Sequence, residues 1–181
     1  MSAEKFIAEA RAEFLHQQGH SFDFKLKKWA ESPIEQMVLA WLLTDGWVFP
    51  EQVVWSDACD CLRNHGADTS LILHRTDERF FIGFQAQMEI AAVRDRKALV
   101  RIDMVAIDMF ERAPTKVAIE LDGHDFHERT KTQAQRDKSR DRALTKLGWK
   151  VLRFTGSEVF AEPQRVAEEL HELFVPPEEA T

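Results

Sequence analysis

The chain has 181 residues, of which 44% are hydrophobic and 30% are charged, and its formal net charge is −7. This length and composition predict one globular domain with an appended element, and they exclude a disordered or fibrous protein. No apolar run approaches the ~20 residues that span a bilayer, and residues 1–5 lack the apolar core of a signal peptide, so we expect a cytoplasmic protein without membrane contact.

The first predicted element is a helix over residues 3–18, in which apolar side chains recur at helical spacing. We interpret residues 1–31 as a helical extension. An apolar stripe on such an extension predicts a protein partner or a homodimer formed through it. The stripe consists of Phe6, Ile7, Ala10, Phe14 and Leu15.

A second helix is predicted to begin at Ser32-Pro33-Ile34-Glu35. Ser32 fits the N-cap, Pro33 the first helical position and Glu35 the acid of a capping box. Gly46 fits the residue just past the end of this helix.

The segment over residues 47–69 carries weaker signals. Residues 47–55 are predicted to be extended, and the polar residues 56–69 are predicted to form a loop that contains both cysteines. Cys59 and Cys61 are too close for a structural disulfide, and together with His65 they lack a fourth metal ligand. Two reduced thiols are the better interpretation.

Two strands are predicted next, over residues 70–74 and 80–84, with a turn near Thr76-Asp77 between them. Polar and apolar residues continue to alternate after the second strand, which predicts that it extends to about Met88.

Two further hydrophobic strands carry acidic residues. Residues 99–106 include Asp103, and residues 117–122 include Glu120 and Asp122. Because side chains alternate along a strand, Glu120 and Asp122 share one face. Acids from two such strands repel each other unless a cation lies between them, which predicts a divalent metal site at a strand end.

Each of these acids has a structural alternative. Asp103 would pair with an arginine such as Arg101, since burying an unpaired carboxylate costs roughly several kcal/mol. Asp122 and Gly123 would form a hairpin turn. Glu35 would only complete its capping box.

Residues 129–153 form a basic segment in an acidic chain, with nine lysines and arginines against two aspartates. This charge suits phosphate binding, although a solvated helix face with ordinary ion pairs explains the charge alone slightly better. The segment predicts a helix over residues 130–147, ended by Gly148. Its inward polar stripe is predicted to include Arg136 and Arg140.

The remaining predicted elements are a strand over residues 150–154, a helix over residues 157–174 and an acidic tail over residues 176–181. Helices, consecutive strands, a helix and a further strand in this order predict an α/β fold with a mixed central β-sheet flanked by helices.

The acids and one histidine form a recognisable constellation: Glu35 on an early helix, Asp103 and Glu120 on consecutive strands, then Asp122 and His127. It resembles the PD-(D/E)xK nuclease superfamily and, more closely, its very-short-patch-repair-like branch of DUF559-type endonuclease-like domains. The stretches RIDMVAID and VAIELDGHDFH carry most of the resemblance.

The resemblance implies a restriction-endonuclease-like core over residues 32–175. The implied activity is metal-dependent hydrolysis of DNA phosphodiester bonds, as nicking or cleavage, with Mg²⁺ or Mn²⁺ bound by Asp103 and Glu120. A protein of this fold that binds nucleic acid or a partner protein without cutting is the alternative.

The catalytic set implied by the resemblance adds Glu35, Asp122 and His127 to the two metal ligands. Asp122 occupies the motif position that usually holds a lysine, whose amine would orient the attacking water. His127, with a reference pKa of ~6.5, is the implied proton acceptor. The side chains expected to contact DNA are Arg136, Lys138, Arg140 and Arg153.

Overall fold

The computed structural model describes residues 5, 8, 30–48, 52–69, 71–91, 97–108, 114–123 and 131–174. Most of the predicted N-terminal helix, His127 and the acidic tail lie outside these residues, so the predictions for them stay predictions.

Helix α1 (Pro33–Thr44) begins as predicted, since the Ser32 hydroxyl accepts a hydrogen bond from the Glu35 N–H at 3.1 Å. Gly46 follows the helix with a φ of 91°, which favours glycine. The capping box is not completed, because the Glu35 carboxylate accepts a hydrogen bond from the Glu31 N–H at 3.1 Å instead. The prediction of a capping box is therefore wrong for its second half.

Helix α2 (Gln52–Asn64) occupies a stretch predicted to be extended and then a loop, so both predictions are wrong there. Its buried residues Ala58, Cys59 and Leu62 recur at helical spacing and pack in one core cluster. The loop prediction rested on the polar residues of this stretch rather than on the helical spacing of its apolar residues. Cys59 and the half-buried Cys61 are free thiols, as predicted.

Six strands form one mixed sheet. They are β1 (Ala67–Asp68), β2 (Leu71–His74), β3 (Phe80–Ala91), β4 (Lys97–Asp108), β5 (Lys116–Asp122) and β6 (Lys150–Thr155). The order is β1-β3-β4-β5-β6, and β2 also pairs with β3. The β5–β6 pair is parallel, and the other pairs are antiparallel.

Helix α3 (Lys131–Lys146) connects the parallel strands β5 and β6, since parallel neighbours need a crossover rather than a hairpin. Gly148 follows the helix with a φ of 80°, in agreement with the predicted helix end.

Two helices follow β6, α4 (Gly156–Ala161) and α5 (Arg165–Phe174), where the sequence predicted one. Pro163 explains the break, because proline disfavours the helical conformation of the residue before it. Glu162, that preceding residue, has φ −144° and ψ 77°, which is not helical.

The sheet separates two apolar layers. One cluster joins α1, α4 and α5 to one side of the sheet, and the other joins α2 and α3 to the opposite side. This architecture confirms the predicted α/β class with a mixed sheet between helices. Among the described helices, none has the length and apolar character that crossing a membrane requires.

Candidate active site

Strands β4 and β5 separate at Asp103. Their pairing ends at Met104 and Ile119, and the next residues in that register are Asp103 and Glu120. Asp103 Oδ2 accepts a hydrogen bond from the backbone N–H of Leu121 at 2.8 Å. A carboxylate side chain therefore connects the two strands where their backbone pairing ends, and it places the two acids side by side.

Four polar residues form one row across the sheet. The β3–β4 register is the same on both sides of Gln85, so Gln85 faces Asp103. Glu120 pairs with Arg153 in the β5–β6 register. The row therefore runs Gln85, Asp103, Glu120, Arg153, and it interrupts strands that are otherwise mainly apolar.

Glu120 is buried against α3, with its side chain 7% exposed and its Oε1 3.1 Å from Arg140 Nη2. Burial raises the pKa of Glu120 to about 7, Arg140 opposes this rise, and the charge of Asp103 adds to it. Glu120 is thus close to half protonated near neutral pH, and a nearby cation would favour its charged form.

Asp103 has the same tendency. Burial raises the pKa of Asp103, the Leu121 N–H lowers it, and the charge of Glu35 raises it again. Two acids that are both costly to ionise therefore lie next to each other. This is the electrostatic condition in which a bound cation gives the largest stabilisation.

Arg101 connects Asp103 to α1. Its Nη2 lies 3.3 Å from Glu35 Oε1 and 3.4 Å from Glu35 Oε2, and its Nη1 contacts Glu31. The same Nη2 is 3.9 Å from Asp103 Oδ1. The pairing of Asp103 with Arg101 is therefore present, but the arginine is closer to Glu35. Through Arg101, Glu35 is brought to the edge of the site.

Asp122, which the resemblance would place at the motif position of a lysine, lies beside an arginine. Arg153 Nη1 is 3.4 Å from Asp122 Oδ2, and Arg153 Nη2 is 2.6 Å from Asp141 Oδ1 of α3. The positive charge of Arg153 also lowers the pKa of Glu120. A guanidinium from β6 therefore supplies positive charge beside Asp122 and Glu120.

Helix α3 presents its basic residues on two faces. Arg140 and Asp137 are half-buried, with Arg140 Nη2 4.0 Å from Asp137 Oδ1. Arg136 and Lys138 are exposed, so the predicted inward orientation of Arg136 is wrong. Arg136 precedes the buried Leu144 by eight residues, which places it about 80° away from the face that contacts the sheet.

The two adjacent strand acids, Asp103 and Glu120, are the candidate metal ligands in the described part of the chain. Those residues contain no group of three or more His, Cys, Asp or Glu placed to hold a metal ion. Glu120 Oε1 is buried, and its contact with Arg140 Nη2 at 3.1 Å is an ion pair without hydrogen-bond geometry. Mg²⁺ takes one or two protein carboxylates and keeps several waters, so Asp103 and Glu120 fit such an ion.

Comparison with known families shows which kind of domain contains these acids. Residues 85–174 match the model of the REase_MTES_1575 family, a restriction endonuclease-like family. This part of the chain is a restriction endonuclease-like domain. The match confirms the predicted superfamily-level resemblance, and such a domain suggests a nuclease with DNA as its substrate. No curated protein and no solved structure matched the chain.

The matched restriction endonuclease-like domain contains Asp103, Glu120 and Asp122, whereas Glu35 precedes it. Sequence reasoning missed two residues of the site, Gln85 and Asp141. A signal existed for Gln85, because this amide follows the apolar run Phe80 to Phe84 in a strand that is mainly buried. Asp141 had no such signal, since it occurs on a helix rich in charge.

Proposed function

We propose that the restriction endonuclease-like domain, together with Glu35 of α1, is a metal-dependent endonuclease that hydrolyses DNA phosphodiester bonds. The observation that carries the proposal is the pair Asp103 and Glu120, adjacent at the point where β4 and β5 separate and both with raised pKa values. Acids whose role is to form a structural ion pair have lowered pKa values. Raised pKa values at two adjacent acids are instead typical of a functional site, where a bound cation would favour the ionised forms.

Asp103 and Glu120 would hold the ion, which we expect to be Mg²⁺ or Mn²⁺. Such an ion activates a water molecule and offsets the charge of the scissile phosphate. Arg140 and Arg153 present guanidinium groups beside Glu120. A guanidinium can donate two parallel hydrogen bonds to two oxygens of one phosphate. These two arginines would orient the phosphate.

Proton transfer needs a further group, because a guanidinium does not give up its proton at neutral pH. His127, which the very-short-patch-repair-like branch would use as proton acceptor, fills that role in our proposal. It follows β5 by five residues in the sequence. Asp122 would contribute by holding Arg153 in place.

Incubation with supercoiled, linear and branched DNA tests this function. We expect Mg²⁺- or Mn²⁺-dependent nicking or cleavage of at least one form and no reaction in the presence of a chelator. Failure to cleave any form with either ion would contradict the proposal.

The competing function is that of a nuclease-like fold that binds DNA or a partner without cutting. It is supported by the pairing of each acid with an arginine: Glu35 with Arg101, Glu120 with Arg140 and Asp122 with Arg153. Calorimetric titration separates the two functions. DNA binding without any heat of Mg²⁺ or Mn²⁺ binding would favour the competitor.

DNA binding should also involve the outer face of α3. Lys138, Arg142 and Lys146 are exposed and lie four residues apart, so they form a ridge about 12 Å long. No described acid lies within ion-pair distance of them, unlike Arg140. We call these three residues the α3 ridge and propose that it contacts the DNA backbone beyond the site.

Removing two charges of the α3 ridge should therefore lower the affinity for DNA and make that affinity less sensitive to salt. In the double variant Lys138→Ala/Arg142→Ala, the slope of log K against log salt should become shallower by about 2, since each phosphate contact contributes about 0.9. Fluorescence anisotropy with a labelled duplex at several salt concentrations measures this slope.

The matched control is Arg63→Ala/Arg165→Ala, which removes the same charge from two exposed arginines that are already paired with acids. We expect its slope to stay near that of wild type. Equal slopes for both double variants would show that the α3 ridge makes no contact with DNA.

A further inference from the structure

Gln85 is the only described residue other than glycine with a positive φ, at 51°. L-residues in this left-handed region are uncommon and are enriched in asparagine, aspartate and histidine rather than glutamine. A strained residue in the middle of a sheet persists only where the surrounding structure enforces it.

The strained residue changes which side of the sheet its neighbours face. Phe84 belongs to the core cluster of α1, whereas Ala86 belongs to the cluster of α2 and α3. The partner strand changes sides at the same place, because Met104 belongs to the first cluster and Ile102 to the second. The register is identical before and after Gln85, so no residue is inserted as in a β-bulge.

The strain therefore acts at the pair Gln85 and Asp103, within the site row. Its effect is to turn the two strands about this pair while the pair itself stays aligned. Both strands pair continuously on either side of Gln85, so the strained conformation leaves the backbone register unchanged.

The amide of Gln85 is also unsatisfied. Its Nε2 is buried, and no described residue accepts a hydrogen bond from it. A buried donor in this state costs about as much as a lost hydrogen bond. Four other buried atoms in the described part of the chain lack a hydrogen bond. Arg140 Nε and Glu120 Oε1 belong to the same site, where Glu120 Oε1 is paired with Arg140 by charge. The other two are the indole nitrogens of Trp47 and Trp149.

We propose that Gln85 is a substrate-contacting residue of the site and that its side-chain amide donates a hydrogen bond to a non-bridging oxygen of the DNA phosphate. This inference rests on the proposed function. An amide suits the position, because it offers a donor to an anionic oxygen without adding charge next to Asp103 and Glu120. Strain at the backbone and an unpaired donor are both explained if they are compensated when DNA binds.

Three substitutions test the proposal. Gln85→Gly removes the amide and suits the positive φ, Gln85→Glu keeps the shape but replaces the donor with an acceptor, and Gln85→Asn keeps an amide that tolerates the left-handed region. Gln85→Gly should melt at or above the wild-type temperature and yet bind a DNA duplex about 10- to 100-fold more weakly. Gln85→Glu should bind at least as weakly, and Gln85→Asn should retain part of the affinity.

Binding is measured with each variant combined with Asp103→Asn, so that the DNA stays intact, and kcat/KM is measured without it. The control is Gln87→Gly, the same change at an exposed position of β3. It should lower the melting temperature and leave DNA affinity unchanged.

The outcomes separate this inference from the proposed function. If wild type cleaves DNA while Gln85→Gly and Gln85→Glu bind and cleave like wild type, the role of Gln85 is refuted and the function stands. If wild type binds without cleaving, the function fails and the affinities alone decide the role of Gln85. If Gln85→Gly loses stability and keeps full DNA affinity, Gln85 is a structural residue. If wild type binds no DNA, both the proposed function and the role of Gln85 are wrong.

Discussion

Asp103→Asn should reduce metal-dependent DNA cleavage by about 10³-fold, the size of effect expected when one preorganised charged group of an active site is removed. The fold should remain intact, because asparagine keeps an oxygen that accepts the Leu121 N–H now bound to Asp103 Oδ2. Thermal stability should be equal or higher, since the raised pKa of Asp103 means that its charge is unfavourable in the folded protein. Single-turnover kinetics measures the loss of cleavage, and Mn²⁺ calorimetry measures the accompanying loss of metal affinity.

Asp108→Asn is the matched control for this substitution. Asp108 is a buried carboxylate at the C-terminal end of the same strand, five residues beyond Asp103 and 3.5 Å from Arg79. Its substitution should destabilise the protein through the broken ion pair while the cleavage rate and Mn²⁺ affinity of the folded protein persist. Cleavage by Asp103→Asn at the wild-type rate would remove Asp103 from the mechanism.

The fold could be predicted where local chemistry decides the structure. Ser32 marks the start of α1 by accepting a hydrogen bond, and Gly148 marks the end of α3 by its backbone conformation. The polar residues of α2 favour a loop and outweigh its apolar residues, which include Ala58 and Leu62. Contact of that apolar face with the sheet decides for a helix, and this contact becomes visible only in the structure.

The candidate site divides in the same way. Asp103 and Glu120 could be predicted as its centre, because a charged residue inside an apolar strand requires a partner. The sequence offered Arg101 as a partner of Asp103, and that contact is present at 3.9 Å. The closer contact of Arg101 with Glu35, across 66 residues of sequence, could not be predicted. Backbone strain at Gln85 has no signal in the sequence at all, because it arises from how two strands turn together.

The arginines around the acids reduce the electrostatic repulsion between two neighbouring carboxylates. Glu120 and Asp103 repel each other, and Arg140 and Arg101 reduce that repulsion from opposite sides of the sheet. The compensation is incomplete, because both acids keep raised pKa values. We therefore expect the site to fold without a cation and to gain stability if one binds.

Glu120→Gln should make the protein more stable at pH 8 by about 1–3 kcal/mol, measured by urea unfolding in the presence of a chelator. The pKa of Glu120 is raised in the folded protein from 4.5 to about 7, so the folded state binds a proton more tightly than the unfolded state does. The stability contributed by protonated Glu120 is complete below pH 4.5 and is lost as the pH rises to about 7. Glutamine cannot ionise, so the variant should lose this part of the pH dependence.

Glu158→Gln provides a control of opposite sign. Hydrogen bonds from the Thr155 backbone N–H and hydroxyl lower the pKa of Glu158, so its contribution is present at neutral pH and is lost as the pH falls through its folded pKa. That variant should therefore be less stable than wild type at pH 7.

Added Mg²⁺ should stabilise wild type more at pH 8 than at pH 6, because the ion binds the ionised form of Glu120. It should have little effect on the stability of Glu120→Gln. A wild-type stability that does not fall between pH 5 and 8 relative to that of Glu120→Gln would contradict a buried, reluctantly ionised Glu120, and with it the electrostatic argument for a cation at this site.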